Sequence, residues 1–284
     1  MSLLQLFIIS IIQGLTEWLP ISSSGHILLA AQYFELEGRD EYLINAMAHI
    51  GTLGAVLLYF WKDVGSAMRG ALGLPAAVLG SRSKFDADQS LALLILASLP
   101  VTLLVIGIYE LAFPDLWKAS LRSVWVVAMT SIVFGLALWW ADAKAPRARE
   151  LNEMSAKQAV WIGATQAIAA LLPGTSRSGI TMTVARAFGF SRTESARFSM
   201  LIGAPLLAAV GLYAFLQLAG SDPSAGIATL NDGIIVMALS FVSGFASIWA
   251  LMALLKRISF LPFVIYRVLL GVALIAAGPW LGLL

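Results

Sequence analysis

Cysteine is absent from the sequence, and histidine occurs only twice. The lack of cysteine excludes a disulfide, a thiolate nucleophile and a cysteine-based metal site. Two histidines are too few for a zinc site built from several imidazoles. These two shortages exclude thiol chemistry and multi-histidine zinc chemistry from the candidate functions.

Charged residues are also scarce. They make up only 12% of the 284 residues, whereas hydrophobic residues make up 60% and the mean hydropathy is +0.87. A soluble domain typically has about 25% charged and about 45–50% apolar residues. So little charge cannot cover a water-soluble protein of this size, which excludes a soluble globular enzyme, a disordered chain and a nucleic-acid binder. The composition predicts an all-α polytopic membrane protein.

Six segments have the character of transmembrane helices, which need about 20 mostly apolar residues to cross about 30 Å of hydrocarbon. They are 43–61, 89–112, 123–141, 197–218, 232–255 and 261–283. Two further apolar segments, 3–19 and 157–172, each run into a polar break that is followed by a short apolar stretch. Non-helical backbone is tolerated at membrane depth only where protein or a wet cavity surrounds it. We therefore predict six transmembrane helices plus two re-entrant helical hairpins.

The basic residues are distributed unevenly in this predicted topology. One side receives the loops 62–88, 142–156 and 190–196 and the turn Lys256-Arg257, and with the adjoining helix ends it holds 13 of the 18 Lys and Arg residues. Cytoplasmic segments of membrane proteins are enriched in Lys and Arg. We therefore predict that this side is cytoplasmic and that both termini lie on the outer side.

The two broken segments follow one pattern. Pro20 lies seven positions after Gln13, as Pro173 does after Gln166, and each proline is followed by a hydroxyl-rich run that ends in glycine. A second helix and three predicted spans follow in both halves, and because three is an odd number the second copy enters from the opposite face. This inverted-topology repeat is typical of many transporters. We predict a single membrane domain over residues 1–284. Its first repeat covers about 1–141 and its second about 157–284.

Ionisable side chains within apolar segments are costly and are therefore candidates for function. Glu17, His26 and Arg177 lie in or beside the two breaks. Gln13 and Glu17 share one helix face, and a carboxylate with an amide neighbour suits a hard divalent cation that also takes substrate phosphate oxygens. Arginine suits bidentate phosphate recognition, and glycine-rich turns at helix starts direct N–H groups at an anion. The breaks together predict phosphate chemistry, with an activated nucleophile or base at hand.

Both motifs resemble the signatures of the undecaprenyl-diphosphatase family, also called bacitracin-resistance proteins. The first motif runs from Gln13 to His26 (QGLTEWLPISSSGH), and the second from Pro173 to Gly179 (PGTSRSG). The resemblance covers essentially the whole chain. It implies an enzyme of the bacterial inner membrane that hydrolyses undecaprenyl diphosphate to the monophosphate and inorganic phosphate, which recycles the lipid carrier of cell-wall sugars. It also implies dependence on a divalent metal ion, Mg or Ca.

The resemblance implies roles for individual residues. Glu17 would serve as a metal ligand or acid–base group. Ser23 and His26 would be the nucleophile and its partner, in an order that the sequence leaves open, and Arg177 would clamp the diphosphate. Gln13 takes the amide option at the first position of the family's (E/Q)xxxE pattern, so it is the second expected metal ligand and Glu17 is the only carboxylate of the motif. The other residues expected to line the substrate site are Ser22, Ser24, Gly25, Gly174, Thr175, Ser176 and Ser178.

Several residues have plainer interpretations. Arg177 has an alternative role as a structural ion-pair partner of Glu17. Arg267 is expected to pair internally or to extend towards the interface, and Gln166 is expected to hydrogen-bond a neighbouring helix. His49 is expected to be a packing residue.

Two other functions compete with hydrolysis by this family. A transporter or lipid flippase fits the broken helices and the inverted repeat equally well, but only an enzyme would release phosphate from a prenyl diphosphate. The type 2 phosphatidic acid phosphatases share the element Ser24-Gly25-His26, but they need a second histidine after a Ser-Arg pair, and none follows Ser176-Arg177. The expected partners are a polyprenyl diphosphate and membrane lipid, without nucleic acid, and the oligomeric state, a homodimer included, is left open.

Overall fold

The computed structural model describes residues 1–34, 38–79, 85–112, 123–146, 149–220 and 228–278. Within these ranges there is no β-strand, and one isolated β-bridge pairs Arg149 with Phe190. A short 3₁₀ helix, Leu151–Glu153, lies in the same part of the chain. The all-α prediction is therefore confirmed. The α-helices of the described ranges are α1 Leu3–Trp18, α2 Ser23–Phe34, α3 Gly38–Tyr59, α4 Trp61–Leu79, α5 Ala87–Ala97, α6 Pro100–Ala112, α7 Val124–Lys144, α8 Ala156–Leu171, α9 Arg177–Ala187, α10 Arg192–Gly220, α11 Leu230–Leu255 and α12 Leu261–Ala277.

Several of these elements are long and apolar enough to cross a membrane, so the chain is a multi-pass membrane protein. The bent pair Leu43–Tyr59 and Trp61–Leu79, whose helices meet at 88°, adds a fifth such element to four others. These four are Ala87–Tyr109, Val124–Lys144, Arg192–Leu216 and Leu230–Leu255. The predicted span 261–283 corresponds to α12, which has 17 residues, and its predicted end lies outside the described residues.

The prediction of a loop over residues 62–88 is wrong for most of its length, because the first part of this segment forms α4. The backbone of α4 approaches that of α5 so closely that a Cβ at Gly70 would overlap the carbonyl oxygen of Asp88. Ser66 and Arg69 donate hydrogen bonds to the carboxylate of Asp88 at 2.5 and 2.8 Å. These contacts stabilise a helix whose glycines and internal Pro75 disfavour helix by themselves. The predicted loop 190–196 is likewise mostly helical, since α10 begins at Arg192, while residues 80–84 and 147–148 lie outside the described part of the chain.

The predicted span 89–112 is broken between α5 and α6. Pro100 begins α6, where its missing N–H costs no helical hydrogen bond. Helix α8 crosses at the break, where a Cβ at Gly163 would overlap the backbone of Ser98. The hydroxyl of Thr102 donates to the carbonyl of Gly163 at 2.8 Å. The first half of the chain therefore holds the second broken segment by a close backbone contact.

Ion pairs join the helices at one end of the molecule. Asp142, at the end of α7, accepts from Arg186 at 2.9 Å and from Arg192 at 2.8 Å. The backbone N–H of Phe260, just before α12, donates to the same carboxylate at 3.3 Å. Arg197 pairs with Asp63 at 2.5 Å. The predicted cytoplasmic ends of α7, α9, α10 and α12 thus meet around two aspartates.

The N-terminal residue marks the opposite end. Its amino group lies 3.8 Å from the carboxylate of Asp232, near the start of α11. The N–H of Ala228 donates to Asp40 in the first turn of α3 at 3.0 Å. Helices α1, α3 and α11 therefore begin at the same end, and the chain of α1 and α2 returns to the end from which it started.

The second broken segment returns in the same manner to the end that carries the ion pairs. The N–H of Arg149, before α8, donates to the carbonyl of Gly189, after α9, at 3.2 Å. The N–H of Ser191 donates back to the carbonyl of Arg149 at 3.0 Å. Each of the two hairpins, α1–α2 and α8–α9, thus begins and ends at the same end of the molecule, and the end differs between the two.

Candidate active site

The breaks of the two hairpins lie against each other. The hydroxyl of Ser178 donates to the carbonyl of Leu19 at 2.9 Å. A Cβ on Gly25 would lie 3.6 Å from the Cα of Gly174. The residues of both sequence motifs therefore form one site.

Each break contains a serine with a positive φ. Ser22 has φ 73° and Ser176 has φ 69°, an uncommon conformation for a residue with a side chain. The hydroxyl oxygen of each accepts from the backbone N–H three residues later, at 3.4 and 3.1 Å. Each also lies 3.2 Å from the serine hydroxyl two residues later. Ser22 and Ser176, both expected to line the substrate site, thus cap the starts of α2 and α9 in the same way, and Ser24 and Ser178 are the neighbouring hydroxyls.

Glu17 is the centre of the site. Its Oε1 accepts from Nη2 of Arg177 at 3.2 Å, and its Oε2 accepts from Ser23 Oγ at 2.7 Å and from Gln13 Nε2 at 3.1 Å. The side chain is only 7% exposed. A buried carboxylate needs such partners, because its transfer from water is costly. The geometry joins the carboxylate and the hydroxyl of the first motif to the guanidinium of the second.

Arg177 is fixed from three directions. Its Nη1 donates to the carbonyl of Ser199 at 3.3 Å, and its guanidinium lies 5.0 Å from the centre of the Trp18 ring, a cation–π contact. A Cβ at Gly203 in α10 would overlap the guanidinium. The ion pair with Glu17 that was the alternative interpretation of Arg177 is present. It uses one N–H of the five that a guanidinium offers.

His26 does not contact Ser23 through either ring nitrogen. Its Nδ1 lies 2.7 Å from the carbonyl of Ser22, and its Nε2 lies 2.5 Å from the hydroxyl of Tyr266. A carbonyl only accepts, so Nδ1 carries the proton in the neutral ring and Nε2 accepts from Tyr266. The Ser23–His26 pair expected from the sequence is therefore not formed here, and the hydroxyl of Ser23 faces Glu17 instead.

Arg267 joins the two loops through hydrogen bonds to their backbone carbonyls. Its side chain is fully buried, and its Nη2 donates to the carbonyls of Gly174 and Thr175, each at 2.9 Å, while Nη1 reaches the carbonyl of Pro20 at 3.4 Å. Further bonds run to backbone carbonyls of α7. None of the salt bridges among the described residues involves Arg267. The expectation that it pairs internally holds, with carbonyl oxygens as its partners.

The remaining second-motif residues shape the loop. Gly174 has φ 85°, and a Cβ there would overlap Thr130, whose hydroxyl donates to the carbonyl of Pro173 at 2.6 Å. Thr175 is fully buried, and its hydroxyl has no hydrogen-bond partner among the described residues. Gly174 is thus required by the backbone conformation and by the close packing on α7.

A cavity of about 160 Å³ opens beside Glu17. Five residues expected from the motifs line it, and two polar residues that the motifs do not include, His49 and Gln166, line it as well. His49 was expected only to pack; its Nδ1 lies 2.7 Å from the carbonyl of Asn45. The apolar part of the wall comes from α6, α8 and α10. The five expected residues are Glu17, Ser23, Ser24, Ser176 and Arg177.

The expectation that Gln166 hydrogen-bonds a neighbouring helix is wrong. Its side chain is fully buried, and neither Nε2 nor Oε1 has a hydrogen-bond partner among the described residues. The signal that could have found it is the repeat, because Gln166 precedes Pro173 by the same seven positions by which Gln13 precedes Pro20. Tyr266 and Gly203 have no such signal, since both lie outside the motifs.

The donor set of the site limits how a metal ion could be held. The described residues contain no cluster of three or more His, Asp or Glu side chains that could hold one. Glu17 supplies a carboxylate and Gln13 an amide on the same helix face. Such hard donors fit a divalent cation that draws its other ligands from water and from phosphate oxygens.

The fold and site define a multi-pass helical membrane protein whose buried carboxylate, hydroxyl and guanidinium meet between two broken helices. The chain belongs to the family described as Bacitracin resistance protein BacA, which it matches over residues 6–273. A protein named undecaprenyl-diphosphatase from Hyphomonas neptunium is 54% identical over 279 residues, which cover 98% of both chains. Proteins of the same name from Maricaulis maris and Jannaschia sp. are 46% and 41% identical, and each match covers 97% of this chain and 98% of the relative.

Proposed function

We propose that this protein hydrolyses undecaprenyl diphosphate to undecaprenyl phosphate and inorganic phosphate in the bacterial inner membrane, and so recycles the cell-wall lipid carrier. The observation that carries the proposal is the contact of Ser23 and Arg177 with the two oxygens of Glu17, at 2.7 and 3.2 Å. A hydroxyl next to a base and a fixed cation form a nucleophile, a proton acceptor and an anion clamp. The full-length similarity to proteins named for this reaction supports the choice of substrate.

In the proposed reaction, Ser23 Oγ attacks the terminal phosphorus and its proton passes to Glu17. The bond from that phosphorus to the bridging oxygen breaks, so undecaprenyl phosphate leaves and a phosphoserine remains. Glu17 passes this proton to the departing undecaprenyl phosphate and is a carboxylate again. Water then attacks the phosphoserine and gives a proton to Glu17, the bond to Ser23 Oγ breaks, Glu17 returns the proton to Ser23 Oγ, and inorganic phosphate is released. The support for Ser23 over His26 is the 2.7 Å bond to Glu17 and the engagement of both imidazole nitrogens elsewhere.

Arg177 is the proposed clamp on the diphosphate. Its guanidinium is held by Trp18, Ser199 and Glu17 before substrate binds, so little reorganisation is needed. The N–H groups at the start of α9, next to the capping Ser176, lie in the same loop. Backbone N–H groups at a helix start add a favourable field for phosphate oxygens.

A divalent cation, Mg or Ca, fits the site together with substrate. Glu17 and Gln13 would hold it, and it would supply charge that neutralises the phosphate oxygens. Gln13→Glu should keep activity with a changed metal requirement, because a second carboxylate strengthens cation binding but repels Glu17 when the cation is absent. Phosphate release measured against Mg²⁺ and Ca²⁺ concentration, with and without chelator, tests this proposal.

We also propose the topology of six membrane spans and two re-entrant hairpins in an inverted repeat, with both termini periplasmic. Its support is the exchange of packing partners between the halves. Helix α1 packs on α11, and its counterpart α8 packs on α5 and α6, which are the counterparts of α11. In the same way, α2 meets α12 through His26 and Tyr266, and its counterpart α9 packs on α7, the counterpart of α12. The pairs α3–α10 and α7–α12 join counterparts to each other. A two-fold relation between the halves requires this pattern.

Phosphate release by the purified protein from undecaprenyl diphosphate tests the function. We expect steady release by the wild type, none by Glu17→Gln and Ser23→Ala, and only a partial loss by Ser24→Ala, which removes the neighbouring hydroxyl of the same cavity. A folded wild type that moves a prenyl phosphate across vesicles without releasing phosphate would instead establish the flippase alternative.

A further inference from the structure

We propose that Gln166 is a substrate-binding residue of this site, whose side-chain amide donates a hydrogen bond to a non-bridging oxygen of the bound diphosphate. This inference rests on the proposed function, because the site is the same. It adds a residue that lies outside both sequence motifs, in the interior of α8. The observation that carries it is a fully buried amide in the cavity wall with both polar atoms unpaired.

An unpaired buried amide calls for an explanation. Most buried side-chain polar atoms in folded proteins have at least one hydrogen-bond partner. Gln166 belongs to a well-packed segment of α8, whose neighbour Gly163 touches the backbone of Ser98. The neighbouring helices nevertheless provide the amide with no partner among the described residues. A group kept unpaired at this cost is suited to a ligand that completes its hydrogen bonds.

The chemistry of the cavity indicates what the ligand offers. Glu17, Ser23 and Arg177 line the same cavity as Gln166, so an anion held by Arg177 lies within a space of about 160 Å³ that Gln166 also borders. An amide NH₂ is a donor that carries no charge of its own, so it adds a bond to a phosphate oxygen without changing the net charge of the site. The amide oxygen remains free to accept from a water molecule on the same phosphate.

The comparison with Gln13 supports a different task for each glutamine. Gln13 occupies the corresponding position of the first hairpin and gives its Nε2 to Glu17 at 3.1 Å. The second hairpin has Ala170 where the first has Glu17, so the amide of Gln166 has no carboxylate on its own helix to bind. The same residue type thus orients the carboxylate in one hairpin and is left for the ligand in the other.

Gln166→Leu is the main test, since it removes both polar atoms and keeps most of the volume. A hydrogen bond to a charged group contributes enough binding energy that we expect KM for a prenyl diphosphate to rise by roughly tenfold to a hundredfold, with a smaller fall in kcat. The melting temperature without ligand should stay equal or rise, because an unpaired buried amide is lost. The rise in melting temperature caused by a non-hydrolysable prenyl methylenediphosphonate should be largely lost.

Gln89→Leu is the matched control. Gln89 is a buried glutamine in α5 whose amide oxygen accepts from the N–H of Asp86 at 3.2 Å, and it does not line the cavity. This variant should lower the melting temperature and leave KM unchanged, the opposite of the pattern expected at Gln166. A second variant, Gln166→Glu, should raise KM further than Gln166→Leu, because a carboxylate repels phosphate.

The inference is overturned if Gln166→Leu has the wild-type KM, or if it fails to fold or loses as much stability as Gln89→Leu. If the wild type releases no phosphate, the proposed function fails. In that event the methylenediphosphonate experiment still decides on Gln166, since a ligand-induced shift in the wild type that is absent in the variant needs no turnover.

Discussion

Glu17 has three side-chain partners, and each constrains a different property of the carboxylate. Arg177 compensates the negative charge of Glu17, Gln13 fixes the orientation of the carboxylate along α1, and Ser23 donates the hydrogen bond whose proton a base would take. The amide option at position 13 is therefore more than a missing carboxylate, because its NH₂ is a donor that Glu17 needs. At the scale of single residues, the site is a fixed carboxylate with a hydroxyl on one side and a cation on the other.

Trapping the intermediate should identify the nucleophile. With Ser23 as nucleophile, wild-type protein quenched during turnover of terminally labelled substrate should carry acid-stable, alkali-labile phosphate, and Ser23→Ala should carry none. Mass spectrometry of the labelled peptide checks the position. Acid-labile, alkali-stable phosphate on His26 would contradict the assignment, and Ser24→Ala serves as the control that keeps the label.

Arg177→Lys should be nearly inactive while folded. A lysine keeps the charge but loses the planar fork that binds Glu17, Ser199 and phosphate together. We expect a fall in kcat/KM of at least roughly a hundredfold, consistent with the loss of about 3 kcal/mol from one charge-assisted contact. Substantial turnover by the lysine variant would show that bidentate recognition is not required; circular dichroism and melting temperature confirm the fold.

At the scale of helices, the proposed catalytic groups depend on close approaches by elements that carry none of them. Helix α10 contributes Gly203, whose lack of a side chain leaves room for the guanidinium of Arg177. Helix α12 contributes Tyr266 to His26 and Arg267 to both loops. Helix α7 contributes Thr130 to the second break.

Gly203→Ala should impair activity through Arg177. The added Cβ would overlap the guanidinium, which must then leave Glu17 or push α10 away. We expect a fall in kcat/KM comparable to the one expected for Arg177→Lys, at least roughly a hundredfold. Gly211→Ala in the same helix is the control, since the nearest side-chain atoms would lie 3.8 Å from its Cβ. Equal activity of both alanine variants would show that the guanidinium relocates without consequence.

Asp142→Asn should destabilise the protein without touching the site. Asp142 is the shared partner of Arg186 and Arg192, and the side chain of Arg186 is fully buried. Removing one partner of a buried ion pair typically costs about 3–5 kcal/mol. A large fall in melting temperature with little change in KM at low temperature is expected, and an unchanged melting temperature would contradict this reading of the cluster.

The two breaks were predictable from sequence because Pro20 and Pro173, with their serines and glycines, interrupt otherwise apolar helices. Their joint site followed from the repeat and from the ionisable residues. The bend into α4 was missed, because its amphipathic pattern resembles a surface loop in an apolar chain. The orientation of His26 towards Tyr266 was also missed, because it depends on which helix packs beside α2, and no local pattern reports that.

The distribution of charge at the scale of the whole molecule predicts its sidedness. Because the chain contains no cysteine, single cysteines can be labelled cleanly. Leu230→Cys, near the end marked by the N-terminal residue, should react with an impermeant maleimide in intact cells, whereas Glu153→Cys, near the ion-pair end, should react only after permeabilisation. The reverse pattern would place both termini in the cytoplasm and invert the two hairpins.

The attachment of both loops to Arg267 bears on how the protein is made. The loops belong to residues 19–26 and 173–178, but the guanidinium that joins them belongs to α12, the last described helix to leave the ribosome. We expect the nascent chain to remain without activity until α12 has inserted. An incompletely synthesised enzyme would then not act on the lipid carrier. A chain truncated before Leu261 should reach the membrane yet release no phosphate, and supplying α12 as a separate peptide should restore part of the activity.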